Sequence, residues 1–225
     1  MMDANRRKAL QMTVSRTMRA LEQNNMKAAY VETREDALKL VRSLIPEGST
    51  TSSGGSVTLA ECGIMDYLKE KTDYIDRNMP GIDEDEARRL VARMYVSDWF
   101  LSSANAITQH GEIYQVDGRS NRISCLVFGP RKVIIVAGVN KIVPDLRAAV
   151  ERVKHTAAPA NCIRLSCDTF CAKSGVCISP SFDESDLMCH ADCGQGTICC
   201  NTLIMKRQRE KDRVTVILVG EDLGY

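Results

Sequence analysis

The sequence predicts an α/β protein whose sheet is mainly parallel, has an antiparallel part and is covered by helices. Helical periodicity and short strand-like runs alternate in the first half of the chain, whereas strand-like runs cluster in the second half. Such alternation is typical of parallel sheets, because a helix usually forms the crossover between parallel strands. A chain of 225 residues can bury a full core, so we expect one domain over residues 1–225.

Each element has a local signal in periodicity, capping residues or turn residues. The predicted helices are 3–24, a segment capped by Thr33 and ended by Pro46, a segment from Ser56 through Leu59, 83–95, and 144–155 with Pro144 at its first position. The predicted strands are Lys27–Val31, 49–52, 74–76, 99–103, 112–116, 123–128, 133–137 and Val214–Val219, with a hairpin turn at 117–118. Residues 161–201 read as irregular, and a cysteine-rich module is expected at 162–201, before the last strand.

Charge and composition argue against two kinds of partner. The formal net charge is +1 and aromatic residues make up 5% of the chain, so neither nucleic acid nor a base-stacking platform is indicated. No apolar run reaches the ~20 residues that a membrane helix needs, and the N-terminal residues lack the apolar core of a signal peptide. We therefore expect a cytoplasmic protein with no membrane partner, and a homodimer is a reasonable state for this size.

A glycine-containing loop, SSGGSVTL at 52–59, follows the second predicted strand. Gly54 and Gly55 would let the backbone approach an anion closely, and Ser56 can cap a helix whose first N–H groups favour negative charge. A tight turn with a helix cap is the alternative interpretation. Thr58 lies in the same motif. Glu61, about one and a half turns beyond Ser56, is a candidate acid or base, with a surface glutamate as the alternative.

Polar side chains also bracket the later predicted strands. Arg122 at the start of a buried strand would be costly unless its guanidinium paired with an anionic ligand or with Asp117. Asn140 and Lys141 lie between a strand and a helix, where open α/β sheets place ligand groups. Lys141 is a candidate cation for an anion, and a solvated loop lysine is the alternative. The candidate ligand-binding residues are Gly54, Gly55, Ser56, Thr58, Asn105, Asp117, Asn121, Arg122, Asn140 and Lys141.

The cysteines are concentrated, since eight of the ten lie between Cys162 and Cys200. The spacing C-x3-C-x5-C occurs twice, and Cys162, His190 or Cys200 would complete a ligand set. We favour metal binding over disulfides and free thiols, because a large α/β domain without a signal peptide should keep its thiols reduced. Zinc and an iron–sulfur cluster both suit thiolates. The candidate ligands are Cys167, Cys171, Cys177, Cys189, Cys193, Cys199 and Cys200. Cys62 and Cys125 are expected in the core.

Several strings resemble, in order, the LUD domain, which is the lactate-utilisation family. They are SSGGSVTLAECGI, SSANAIT, GEIYQVDG, FGPRKVIIVAGVNKIV and ILVGEDLGY. The chain is similar to lactate utilisation protein C-like members and to stand-alone forms with a cysteine-rich tail. That tail resembles Thr-Pro-Cys-x-x-Thr-Gly-x-Cys followed by Ile-Cys-Asn, here with Phe170 in place of proline and Cys200 as an extra cysteine.

The resemblance implies a fold like that of sugar-phosphate isomerases, glucosamine-phosphate deaminases and CoA transferases (NagB/RpiA/CoA-transferase-like). It also implies a part in oxidising L-lactate to pyruvate beside iron–sulfur partner proteins. A non-catalytic accessory or regulatory metal-binding subunit is one alternative, because no nucleophile–base pair and no flavin or nicotinamide motif is apparent. A small-molecule isomerase or transferase with Glu61 as base is another. Whether the chain is itself an enzyme stays open.

Overall fold

Two sheets frame the protein in the computed structural model, which describes residues 3–179 and 193–225. The strands are β1 (Lys27–Val31), β2 (Thr50–Ser53), β3 (Asp73–Tyr74), β4 (Trp99–Ser102), β5 (Ala106–Thr108), β6 (Ile113–Asp117), β7 (Lys132–Gly138), β8 (Ile142–Val143), β9 (Asn201–Met205) and β10 (Val214–Val219). The larger sheet has the order β1-β10-β7-β4-β2-β3, and all its pairs are parallel. The smaller sheet, β8-β5-β6-β9, contains the antiparallel pairs.

Helices cover both faces of the larger sheet. They are α1 (Ala4–Gln23), α2 (Arg34–Leu44), α3 (Val57–Glu61), α4 (Ile64–Lys71), α5 (Glu84–Met94), α6 (Asn121–Val127), α7 (Leu146–Arg152), α8 (Ala158–Arg164) and α9 (Phe170–Ser174). Side chains alternate along β7, so that Val133 and Ile135 pack with α1, α5 and α6 while Ile134 and Val136 pack with α2, α3 and α4. Both sets are buried, as expected for a parallel sheet covered on two faces. The predicted α/β class, mainly parallel with an antiparallel part, is confirmed.

The predicted strand at 123–128 and the hairpin turn before it are wrong. The Asp117 carboxylate accepts from the backbone N–H groups of Arg119 and Ser120 at 3.1 and 3.0 Å, and Ser120 takes a positive φ of 63° that leads into α6. This turn starts a helix rather than a return strand. A six-residue apolar run cannot be assigned by periodicity alone. Here the run leaves Phe128 83% exposed, because it covers only the edge of the core.

The predicted helix at 144–155 is displaced and extended. Asp145, not Pro144, provides the start, since its side chain accepts from Ala148 N at 2.9 Å and caps α7. The helix continues through a π-helical turn, Val153–Ala157, into α8. The region expected to be irregular therefore contains the end of α8, all of α9 and the start of β9. Residues 180–192, with Cys189 and His190, lie outside the described residues.

The structure adds several elements that were not predicted, namely α4, β5, β8 and β9. Three of them are short, and β9 follows the cysteine-rich segment. Within the described residues, no helix has both the length and the apolar character needed to cross a membrane.

Candidate functional site

A small polar cavity lies beyond the carboxyl ends of β2, β4 and β7, which meet at one edge of the parallel sheet. Open α/β sheets place ligands at this edge. The cavity has a volume of about 40 Å³. Of the predicted ligand residues, it is lined by Gly55, Ser56, Thr58, Asn105, Arg122 and Lys141. Residues not predicted from the sequence also line it, chiefly Ser103, Ala157, Asn161, Arg164 and Tyr225.

Lys141 lies at the centre of this site, in a 3-10 turn (Val139–Lys141) that follows β7. Only 2% of the residue is exposed. Its Nζ donates to Thr58 Oγ1 at 2.9 Å and to Ser103 Oγ at 3.0 Å. Burial, followed by the positive charges of Arg152 and Arg122, lowers the pKa of Lys141 to about 7. The amine therefore has a large neutral population at neutral pH, and its role as a cation for an anionic ligand stays a prediction.

The two hydroxyl groups that hold Lys141 come from different elements. Thr58 belongs to α3, and Ser103 follows β4 directly. The Thr58 hydroxyl also donates to Leu223 O at 3.3 Å, and it accepts from Ser103 Oγ at 3.4 Å. Because all three groups are buried and mutually bonded, the position of Nζ is fixed by the scaffold.

Arg122 pairs with the protein itself. Its Nε donates to Asp117 Oδ2 at 3.3 Å and its Nη2 donates to Val116 O. Burial lowers the pKa of Arg122, and Asp117 opposes that shift. This is the structural pair that the sequence offered as an alternative to ligand binding. Asp117 does not line the cavity, whereas part of Arg122 does.

Gly54 is required by the side chain of Arg122. A Cβ atom at Gly54 would lie 2.7 Å from Arg122 Cγ and 2.8 Å from Cδ. A Cβ at Gly55 would meet nothing within 4 Å. Gly54 thus leaves room for the aliphatic part of the Arg122 side chain, and it does not line the cavity.

Ser56 and Asn121 have local roles. The Ser56 side chain accepts from Leu59 N at 3.2 Å and caps α3, while the residue also borders the cavity. With its amide oxygen turned outward, Asn121 accepts from Nη1 and Nη2 of Arg77 at 2.6 and 3.1 Å. Asn121 lines a separate depression beside α5, so the structure does not bring it to the cavity.

Arg152 was not predicted from the sequence, and it donates hydrogen bonds to the backbone of two predicted site residues. Its Nε donates to Asn140 O at 3.0 Å and its Nη1 donates to Asn105 O at 2.6 Å. Burial lowers the pKa of Arg152. The Asn105 side chain accepts from Val116 N at 2.8 Å, so its oxygen is already used by the backbone. Nothing in the helical pattern of 144–155 distinguished Arg152 from a surface arginine.

Glu61 and Asn140 hold the segment 220–225, which we call the covering segment. Gly224 N donates to Glu61 Oε2 at 2.7 Å. The Asn140 amide donates to Gly224 O at 3.2 Å and accepts from Leu223 N at 3.2 Å. Neither side chain lines the cavity. The role of Glu61 as an acid or base stays a prediction, and its observed contact is structural.

The covering segment brings Tyr225 to the cavity. The Tyr225 phenol oxygen is buried and has no hydrogen-bond partner among the described residues. Buried polar atoms almost always have a partner, so an unpaired phenol oxygen in a residue that lines a cavity indicates a missing ligand or water. No local pattern in the sequence marked Tyr225, because its place depends on contacts with α3 and with the turn after β7.

Thiols converge in the cysteine-rich segment. Burial raises the pKa of Cys199, and so do the thiols of Cys162, Cys177, Cys171 and Cys193. Burial and the neighbouring Cys171 raise the pKa of Cys162 to about 12, while a hydrogen bond with Thr169 lowers this pKa by a smaller amount. These mutual effects require the thiols to lie close together.

The segment does not present a finished metal site. Within residues 3–179 and 193–225, no group of three or more His, Cys, Asp and Glu side chains is arranged to hold a metal ion. Every described cysteine is a free thiol. Cys167 is half-buried and Cys200 is exposed. Cys62 and Cys125 are buried as expected, and burial raises the pKa of each to about 11.

The fold and the cavity define an α/β protein with a polar pocket at the carboxyl edge of a parallel sheet. The model of the LUD domain matches residues 14–219, and the chain belongs to that family.

One solved structure shares the fold over nearly the whole chain. A DUF162 family protein from Deinococcus radiodurans is 15% identical, with a TM-score of 0.50 over 95% of this chain and 98% of that one. Ribose 5-phosphate isomerase from Plasmodium falciparum is 18% identical, with a TM-score of 0.32 over 49% of this chain and 52% of its own. Ribose 5-phosphate isomerase A from Neisseria gonorrhoeae is 15% identical, with a TM-score of 0.32 over 50% and 53%. The two isomerases share too little of the chain to bear on its activity. No curated protein matches the sequence significantly.

Proposed function

We propose that this LUD-domain protein binds a small carboxylate or other small anion in the Lys141 cavity. We further propose that it takes part in oxidising L-lactate to pyruvate with iron–sulfur partner proteins, in the cytoplasm. The observation that carries the ligand proposal is the buried Lys141 amine, held by Thr58 and Ser103 in a cavity that Tyr225 also lines. The lactate role rests on membership of the family.

The polar groups around the cavity suit an anion. The basic residues Lys141, Arg122 and Arg164 belong to the lining, and neither Asp nor Glu is among the described lining residues. Asp117 already pairs with Arg122, so the positive charge of Arg164, and of Lys141 when it is protonated, favours a bound anion in a site of low dielectric.

Calorimetry with L-lactate, pyruvate and inorganic phosphate tests the ligand proposal. Lys141→Met should weaken binding by at least about tenfold, which corresponds to about 1.4 kcal/mol. Lys132→Met is the matched control, because the exposed Lys132 begins β7, the strand that leads into the turn of Lys141. Absence of binding by all three anions, or equal affinity in Lys141→Met, would contradict the proposal.

A non-catalytic accessory subunit is the second candidate function. It is favoured by the engagement of Glu61 with Gly224, which leaves the described cavity lining without a carboxylate base. Turnover assays on the isolated chain and on the chain with electron-accepting iron–sulfur proteins separate the two. Turnover by the isolated chain would exclude the accessory role, and Glu61→Gln would show whether a base at that position is needed.

We also propose that the cysteine-rich segment binds zinc or an iron–sulfur cluster. Convergence of Cys162, Cys171, Cys177, Cys193 and Cys199 supports this, and their thiols fit either group chemically. A cluster would add single-electron transfer, whereas zinc would hold the segment together. Because metal ligands must be thiolates, binding should release protons.

Metal and acid-labile sulfide analysis of anaerobically purified protein tests this second proposal. Iron with sulfide and broad visible absorption would identify a cluster and strengthen the lactate-oxidation role. Stoichiometric zinc without colour would identify a structural site. Fully titratable thiols without either metal would overturn the proposal.

A homodimer is proposed on separate grounds. A groove exposes the apolar side chains of Val96, Val127, Phe128 and Ile204. Patches of this kind commonly mark interfaces. The molar mass from light scattering should be that of two chains, and Phe128→Asp should lower it to that of one.

A further inference from the structure

The surroundings of Lys141 match a neutral amine better than an ammonium ion. A neutral lysine amine has two N–H donors and one lone pair, whereas the ammonium has three donors and no lone pair. Nζ has two hydrogen-bond partners, Thr58 Oγ1 and Ser103 Oγ. Both donors of the neutral form are therefore satisfied, and the lone pair points away from the two hydroxyls.

The charges around Nζ favour the same form. Arg152 and Arg122 add to the effect of burial in lowering the pKa of Lys141 to about 7, while Glu61 and Cys62 act more weakly in the opposite direction. Among the described residues, no carboxylate forms an ion pair with Nζ. An unpaired buried amine of this kind is a good nucleophile at neutral pH.

We propose that Lys141 forms an imine with the carbonyl carbon of a small carbonyl compound that carries an anionic group, of which a 2-oxo acid is the simplest. This step rests on the proposed anion binding in the same cavity and adds a covalent reaction to it. The Nζ lone pair bonds to the carbonyl carbon, and the carbonyl π electrons move to the oxygen, which takes up a proton. Loss of water with the remaining amine proton then leaves the C=N bond.

Neighbouring groups fit the needs of this reaction. Tyr225 lines the same cavity, and its buried phenol oxygen has no partner among the described residues. It can donate a hydrogen bond to the carbonyl oxygen as negative charge develops there. Arg122 and Arg164 provide positive charge for the anionic group. Before the attack, the hydroxyls of Thr58 and Ser103 hold Nζ in place by accepting hydrogen bonds from its two N–H groups.

Reductive trapping tests the imine directly. The full-length protein is incubated with pyruvate or glyoxylate and sodium cyanoborohydride, which reduces the C=N bond to a stable secondary amine. We expect one adduct whose mass is that of the acid less one oxygen atom. Peptide mapping should place it on Lys141 at a level at least about tenfold above any other lysine. The neutral fraction of an amine with a pKa near 7 is about a thousand times that of an ordinary lysine.

Controls separate this inference from simple anion binding. L-lactate, which lacks a carbonyl, should give no adduct and should slow trapping of pyruvate. Acetone, which lacks the anionic group, should react more slowly than pyruvate. Lys141→Arg keeps a cation and should abolish the adduct, whereas Lys132→Arg should not change it. Mapping on the unmodified sequence makes the result independent of how well the variant folds.

Each outcome decides between the two proposals. Calorimetric binding of pyruvate without a Lys141 adduct would overturn the imine and leave anion binding intact. Adducts spread evenly over exposed lysines would also overturn the imine. Neither binding nor an adduct would overturn both.

Discussion

The Lys141 cavity and the cysteine-rich segment both remove ionisable groups from water, and they do so with opposite chemical results. Burial favours the neutral form of any titratable group. For Lys141 the neutral form is the reactive amine, and its pKa falls to about 7. For Cys162 the neutral form is the unreactive thiol, and its pKa rises to about 12. The same physical effect makes the lysine amine more reactive and the Cys162 thiol less reactive.

The largest expected difference is in thiol reactivity. In metal-free protein at neutral pH, Cys162 should react with a small alkylating reagent at least about a thousand times more slowly than the exposed Cys200. The raised pKa of Cys162 leaves little thiolate, its residue is 1% exposed, and each pKa unit is about a tenfold loss of thiolate. Timed labelling with peptide mass spectrometry measures both rates. Equal alkylation rates of Cys162 and Cys200 in the folded protein would contradict the prediction. The control is labelling in denaturant, where the two rates should be equal.

The second prediction concerns Lys141 and pH. Its pKa lies near 7 in the folded protein and near 10.4 in an unfolded chain, so the unfolded state binds more protons between these values. The burial penalty is therefore complete below about pH 7 and is relieved as pH rises towards 10. Relative to Lys141→Met, the original protein should gain about 1 kcal/mol of unfolding free energy per pH unit in this window.

Urea unfolding of both proteins across that pH range measures the effect. Lys132→Met is the control, because the exposed Lys132 amine stays in water in both states. The difference in unfolding free energy between this variant and the original protein should not change with pH. If the difference for Lys141→Met is also independent of pH, the buried amine is not held in its neutral form.

The third prediction tests the packing on which the cavity depends. Gly54→Ala should lower the unfolding free energy by about 1–3 kcal/mol, because its Cβ would overlap the Arg122 stem. Gly55→Ala, where a Cβ meets nothing within 4 Å, should change it by less than about 0.5 kcal/mol. Denaturant unfolding compares the two. Equal costs would show that Arg122 moves aside freely.

The smallest effect is expected for Glu61→Gln. The amide oxygen can still accept from Gly224 N but loses the help of the charge, so we expect a loss of about 0.5–1.5 kcal/mol in stability. Ligand affinity measured by calorimetry should stay within about threefold, or about 0.6 kcal/mol. Complete loss of activity with unchanged stability would instead restore Glu61 as an acid or base.

The sequence predicted the frame of the fold better than the site. Buried strands such as β7 and β10 carry long β-branched runs, and these were recognised because tertiary packing agrees with local preference. The apolar run at 123–128 was misassigned because Asp117 and Ser120 turn the chain into a helix. That information lies in side-chain hydrogen bonds and not in hydrophobic spacing.

Within the site, the sequence identified polar residues at strand ends but not their partners. Lys141 and Thr58 were both selected, yet their contact joins residues 83 positions apart. Asn140 was assigned to a ligand and Glu61 to acid–base chemistry, and their contacts with the covering segment could not be foreseen because that segment is distant in the chain. Ser103, Arg152 and Tyr225 were missed, since each gains its role only from packing against another element.

The π-helical turn between α7 and α8 has a consequence for both regions. A π turn closes i→i+5 hydrogen bonds and so inserts one extra residue into a helix. From that point α8 directs Asn161 and Arg164 towards the Lys141 cavity and carries Cys162 to the other thiols. Deleting one residue, such as His155, would let this turn close as ordinary α-helix and would change the path along which α8 leaves it. The orientation of α8 therefore affects both sites together.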